Sequence, residues 1–350
     1  TDLEKQRIIR FVIPNALSQK KPVDFNTEIN KRKYSYIKDW IKRKLASIDV
    51  DATIGWIMSL NQKILTDAIA SHEEKEFLQY ISAYKAIDFN FQNLYDLAKE
   101  YKSYLLVRMR YKDHNIVADF IENYKVHYSQ AKKIKEKLYT ATTEITNQYT
   151  LNNNETKHLE VWLLEVFKNE NSDGKNRYQA FVLLAFMYTN YNENEKLEIL
   201  FNQIDYYFSK GEMYSRRLLY NYYASRVLLH SKQNEFTDAE FYGYLSIRQN
   251  NNDTLMYVNN LVAILLRNNT PKKAFSLLEK HYDLYKKTHN YHQKIGYCSY
   301  QIRVLTELHK NTLAESTAKT YLSKYKNEIL NHRWHHFFTS YFGSHVKVGD

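Results

Sequence analysis

The residues most able to do chemistry here are a lone cysteine, two groups of histidines and two runs of lysine and arginine. His281, His289 and His292, and further on His332, His335 and His336, offer imidazole, the commonest protein ligand for metals. Neither group includes a cysteine or a complete ligand set at helical spacing, so no metal is expected. The string His72-Glu73-Glu74-Lys75-Glu76 begins like a zinc-protease helix, but no histidine follows four residues after His72. Acidic residues there suit the first turn of a helix, where they complement its dipole. Cys298 lies in an apolar helical pattern and reads as a packing residue. Glycine-rich phosphate loops, the nucleophile elbow and Cys-x-x-Cys pairs are all absent from the sequence. No catalytic residue and no cofactor is therefore expected, and the chain reads as a non-enzyme.

The basic residues Lys31, Arg32 and Lys33, continued by Lys38, Lys42, Arg43 and Lys44, could contact phosphates through charge alone, as could the later Lys132-Lys133-Lys135-Lys137. Tyr34 and Tyr36 are placed to stack bases. No helix-turn-helix, zinc-finger or RNA-binding signature accompanies them, and such runs also serve as solvated helix faces. The net charge of +11 and pI near 9.2 point to acidic partners such as nucleic acid, anionic headgroups or acidic peptides. An A/T-rich genome would raise lysine and tyrosine together without any selection for binding, so both readings stand.

Positioning any of these groups falls to helices. Seven glycines and three prolines punctuate 350 residues, and no proline lies between Pro22 and Pro271. Sheets and tight turns draw on both residues whereas helices are broken by them, so the expected fold class is all-α. A 42.0 kDa chain exceeds the size of a single core, and two parts or an elongated repeat stack are expected. One cysteine fits a reducing compartment, and the apolar stretch Ile8 to Ile13 is too short to anchor in or cross a membrane, so a cytoplasmic location is expected.

Apolar residues recur at intervals of three and four, as at Tyr34, Ile37, Ile41 and Leu45. This periodicity predicts helices over 2–12, 27–46, 52–70, 72–86, 90–112, 115–148, 154–168, 176–190, 194–209, 214–231, 237–249, 254–268, 271–288, 291–308, 312–330 and 332–342. Ser71 with Glu74, Thr237 with Glu240, Thr312 with Glu315, and Thr270 before Pro271 read as helix starts. The polar stretches at 151–156 and 169–175, the second holding the Asp173-Gly174 turn pair, predict a boundary. A helical N-terminal region over 1–170, helical repeats over 175–342 and a tail over 343–350 are expected.

Segments beginning at Tyr220, Met256 and Tyr297 each read as helix, polar turn, helix, with Ala239, Ala274 and Ala314 near the start of each second helix, 35 and 40 residues apart. A fourth unit from Arg177 places Leu197 at the same point, 42 residues before Ala239. Helix pairs at this period resemble tetratricopeptide repeats over residues 177–330, most closely where Val258-Asn259-Asn260-Leu261 stands at the family's aromatic-x-Asn-Leu run. Val227 and Val262 replace the family's first-helix glycine. The resemblance implies antiparallel pairs stacked as a right-handed α-solenoid with a concave groove for peptides. It implies further that Asn221, Lys232, Asn259, Asn260, Arg267 and Arg303 face that groove, amides toward peptide backbone and cations toward carboxylates. The expected function is a protein-protein interaction scaffold or the sensing part of a larger bacterial protein, taking a peptide or partner protein; the alternative is nucleic-acid binding by the basic N-terminal helices.

Overall fold

A computed structural model of the protein describes residues 3–17, 30–151, 155–248 and 250–346. Among them there are seventeen α-helices and no strand. Contact density divides the chain into two compact units, Thr1–Arg217 and Leu218–Asp350. The first holds α1 (Leu3–Leu17), α2 (Lys31–Ser47), α3 (Val50–Leu65), α4 (Ser71–Ser82), α5 (Phe91–Val107), α6 (Tyr111–Leu151), α7 (Glu160–Lys168), α8 (Gly174–Asn190) and α9 (Asn194–Lys210). The second takes up within α10 (Arg216–Lys232) and continues through α11 (Phe236–Ser246), α12 (Thr254–Arg267), α13 (Pro271–Lys280), α14 (Tyr282–Lys287), α15 (Tyr291–Glu307), α16 (Asn311–His332) and α17 (Trp334–Val346). Among the described residues no helix is long and apolar enough to cross a membrane.

One turn, used repeatedly, explains how a chain so poor in glycine and proline reverses direction. Asp67, Met109, Asn192, Asn234, Asn269 and His309 each take positive φ, between 54° and 62°. The amide after each donates to the carbonyl five residues back, as Glu235 N to His230 O at 2.8 Å, Thr270 N to Leu265 O at 2.9 Å and Lys310 N to Leu305 O at 2.9 Å. This closure satisfies carbonyls that a helix end would otherwise leave unpaired. In the last four cases the residue five positions on is Leu197, Ala239, Ala274 or Ala314, each no more than 1% exposed. In the three alanine cases the small residue lets the second helix close onto the first.

Three of the four helix starts differ in detail from those expected. Ala70, not Ser71, flanks α4, and Glu73 rather than Glu74 reaches back to its amide. Thr237 and Thr312 lie inside the first turns of α11 and α16. At α13 the start is as expected, with Thr270 flanking the helix and Pro271 its first residue, although the Thr270 hydroxyl donates to Leu265 O. The turn closure fixes the boundaries, and side-chain caps become unnecessary. The expected helix 271–288 is broken at His281, whose ring nitrogen Nδ1 bonds Leu277 O at 2.9 Å. Residues 1–2, 27–29, 152–154, 249 and 347–350 of the expected helices, boundary stretch and tail lie outside the described residues; residues 343–346 belong to α17.

The Asp173-Gly174 pair, expected to mark a boundary, is instead buried inside the first unit. Asp173 accepts from Gln92 N at 3.0 Å and Asn176 N at 3.1 Å, capping α5 and α8 together. Gly174 donates to Asp88 O at 3.1 Å, and a Cβ there would stand 2.8 Å from the Phe89 backbone. The glycine is thus required by a close approach of two chain segments, not by a loop. The core of this unit is aromatic, with Phe77, Phe91, Tyr95, Tyr101 and Phe120 packed around Leu94 and Leu105. The second unit is built on aliphatics, including Val258, Leu261, Leu265, Ile295, Ile302 and Leu305.

Candidate functional site

A polar, cationic constellation forms where α12, α15 and the start of α17 meet. His292, Gly296, Tyr300 and Arg303 follow one another at four, four and three residues, which puts them on one face of α15. Arg333 lies at the junction of α16 and α17, its amide bonded to Ile329 O and its carbonyl taking Phe337 N. That junction carries the guanidinium onto α15, where a Cβ on Gly296 would stand 2.7 Å from Arg333 Nη1 and 2.9 Å from Asn259 Nδ2. Asn259, 2% exposed, donates through Nδ2 to Gln293 O at 2.9 Å. His336, in the first turn of α17, meets the Tyr300 ring edge-on at 4.7 Å.

The electrostatics are one-sided. Burial, then Arg333, Arg303 and His292, hold His336 down to about 4, and burial with Arg333 and His332 lowers His292. Both imidazoles are therefore neutral at physiological pH, available as donors or acceptors without adding charge. Arg333 and Arg303 have no acidic partner among the described residues. Asn259 Oδ1, Gln293 Oε1 and His336 Nδ1 are buried without a hydrogen bond. A partly buried guanidinium without a counter-ion, beside unpaired polar atoms, is an arrangement that a carboxylate carrying a neighbouring N–H donor would complete. The N-terminus of α17 adds favourable potential for negative charge.

Of the residues expected in the groove, Asn259 and Arg303 fall in this constellation. Asn221 accepts from the Tyr257 hydroxyl at 2.5 Å and Arg267 donates to Ser231 Oγ at 2.6 Å, both links joining α10 to α12. Asn260 is half-buried and Lys232 exposed, and neither stands in the constellation. Sequence reasoning missed Arg333 and Gln293, and it weighed His292 and His336 only as metal ligands. The signal available was Gly296, a glycine inside a helix of a chain that has almost none. The seven N-terminal candidates, Lys31, Arg32, Lys33, Lys38, Lys42, Arg43 and Lys44, are all exposed on α2.

Three other places were candidates for chemistry. A groove of about 770 Å³ lies between α4 and α6, lined by Glu74, Lys75, Arg110 and Asp113 among others. There Arg110 bonds both Glu74 oxygens at 2.7 Å and Asp113 Oδ2 at 2.7 Å, so its charges neutralise one another. His230, Glu235 and Asp238 bring one ligand atom each within 4.8 Å across the turn at Asn234, and among the described residues theirs is the group close enough to hold a metal. Cys298 is buried, and burial pushes its thiol up to about 12, which removes it as a nucleophile. No protein-family model, curated protein or solved structure matches this chain.

Proposed function

We propose that the protein is a non-enzymatic binding scaffold whose second unit stacks tetratricopeptide-like helix pairs and holds an acidic peptide or partner segment by a carboxylate at Arg333 and Arg303. The half-buried Arg333, lying on Gly296 with no acidic partner, is the observation that carries this reading. The stacking is supported by hydrogen bonds at the repeat spacing. Asn221 with Tyr257 and Ser231 with Arg267 are each 36 residues apart, and Asn259 with the Gln293 carbonyl is 34 apart. Equal offsets at two points along α10 and α12 are what successive first helices in register would give, and they support the reading of a repeat stack. Asn259 and Asn221 then hold neighbouring pairs together, and the cations at the end of the stack provide the recognition.

The test is an array of short acidic peptides presented with free or amidated C-termini and probed with the whole chain. Retention of free-carboxyl acidic peptides, lost in Arg333→Gln and reduced in Arg303→Gln, is the expected result. Equal retention of basic and acidic peptides, or of wild type and Arg333→Gln, would remove the reading.

A further inference from the structure

We propose that α1 and α2 form a docking surface for an anionic lipid bilayer, on which they lie without crossing it. Residues 1–47 hold twelve Lys/Arg against five Asp/Glu, so most of the chain's excess charge is concentrated in its first part. All seven cations of α2 are exposed and Asp39 is its one acid. Lys33 pairs with Glu4 of α1; Lys31, Arg32, Lys38, Lys42, Arg43 and Lys44 have no acidic partner among the described residues.

Charge alone would suit any polyanion. The choice is made by what lies between the cations. Arg32, Tyr36, Trp40 and Lys44 are four residues apart and form a single line on the helix, two aromatics with a cation at each end. Tyr36 is 51% exposed and Trp40 44%. Aliphatic side chains are exposed on the same two helices, Ile41 at 38% on α2, and Ile13 at 48% and Leu3 at 80% on α1. Ile37 and Ile8, at 3% and 2%, are the buried apolar residues of the two helices among those described. Bases can stack on Tyr and Trp, but exposed Ile and Leu gain nothing from a base and gain transfer energy from acyl chains. Trp and Tyr also favour the headgroup level of a bilayer, with Lys and Arg stems reaching past them to the phosphates. Basic charge and modest apolar insertion are together the two signals that hold an interfacial helix on anionic lipid.

The experiment is flotation of the whole chain with vesicles of phosphatidylcholine containing about 30% phosphatidylserine, beside pure phosphatidylcholine vesicles, duplex DNA and single-stranded RNA at the same salt. Capture by the anionic vesicles and not by the neutral ones is expected. Trp40→Ser, and separately the combined Lys42→Glu, Arg43→Glu and Lys44→Glu, should each weaken capture about tenfold or more, while Trp40→Phe retains it. Failure to bind anionic vesicles at low salt, capture indifferent to Trp40→Ser, or tighter retention on nucleic acid than on vesicles would each overturn the proposal. These positions are exposed, so melting of the variants should match wild type, and a variant that unfolds is replaced by the other as the decisive one.

Discussion

The Arg333 guanidinium rests against the backbone of Gly296, so closely that a Cβ at position 296 would lie 2.7 Å from Nη1. Alanine normally favours a helix interior over glycine by roughly 1 kcal/mol. In Gly296→Ala the new methyl must displace Arg333, the end of a long side chain, and press on the bonded Asn259 amide. The expected outcome is a melting temperature close to wild type with about tenfold weaker binding of a free-carboxyl acidic peptide, since one charge-assisted contact is worth roughly that factor. Unchanged affinity by fluorescence anisotropy would contradict the placement of the site.

Asp173 gives the first unit a pH dependence of definite sign. Burial raises its carboxyl from 3.8 to about 6, against the pull of the Gln92 and Asn176 amides. Between those values the folded state holds more protons than the unfolded state, so stability falls as pH rises through that window, by about 3 kcal/mol in total. Asp173→Asn removes the charge and keeps an acceptor oxygen for one of the two amides, which bond different carboxylate oxygens; that loss is the same at every pH and leaves the slope as the readout. Hydrogen exchange of α5 and α8 should show the variant gaining on wild type between pH 4.5 and pH 8, and identical slopes would contradict the burial argument.

His336 acts in the opposite direction on the second unit. Its value is lowered from 6.5 to about 4, chiefly by burial, so the unfolded chain takes up a proton first as pH falls. Stability is full above the unfolded value and is lost on acidification toward pH 4, by about 3 kcal/mol. Exchange protection of α15 and α17 should drop between pH 7 and pH 5, and His336→Gln should flatten that drop. A His336 ring already protonated at pH 6 by NMR would refute it.

The recurrent turn predicts a stabilising substitution. Met109 holds φ at 55° and is 73% exposed, so its side chain pays for a left-handed backbone without packing in return. Met109→Gly should raise stability by about 1 kcal/mol in urea unfolding, whereas Asn269→Gly should change it little, because asparagine tolerates that region. Destabilisation by Met109→Gly would show that the turn is not limited by strain.

Helix existence was legible because three- and four-residue periodicity and the lack of glycine and proline point the same way. The local details of the helix boundaries were less so. Ser71, Thr237 and Thr312 look like caps, yet the left-handed residue and its five-back hydrogen bond decide where each helix starts, and an asparagine or histidine in that role carries little sequence signal. Asp173-Gly174 has the composition of a loop, and only the approach of the Phe89 backbone reveals it as a buried junction. Arg303 and Asn259 were singled out from the repeat register that the sequence suggests. Arg333 was not, because a helix junction, not a periodicity, brings it onto α15.

The central claim, that Arg333 receives a carboxylate, is tested most directly by side-chain NMR of the arginine Nε–H groups during titration of the whole chain with an acidic free-carboxyl peptide. The Arg333 signal, assigned by its loss in Arg333→Gln, should shift in a saturable manner, with Arg303 following. A peptide that binds while Arg333 stays unmoved, or an amidated peptide that moves it equally, would contradict the account.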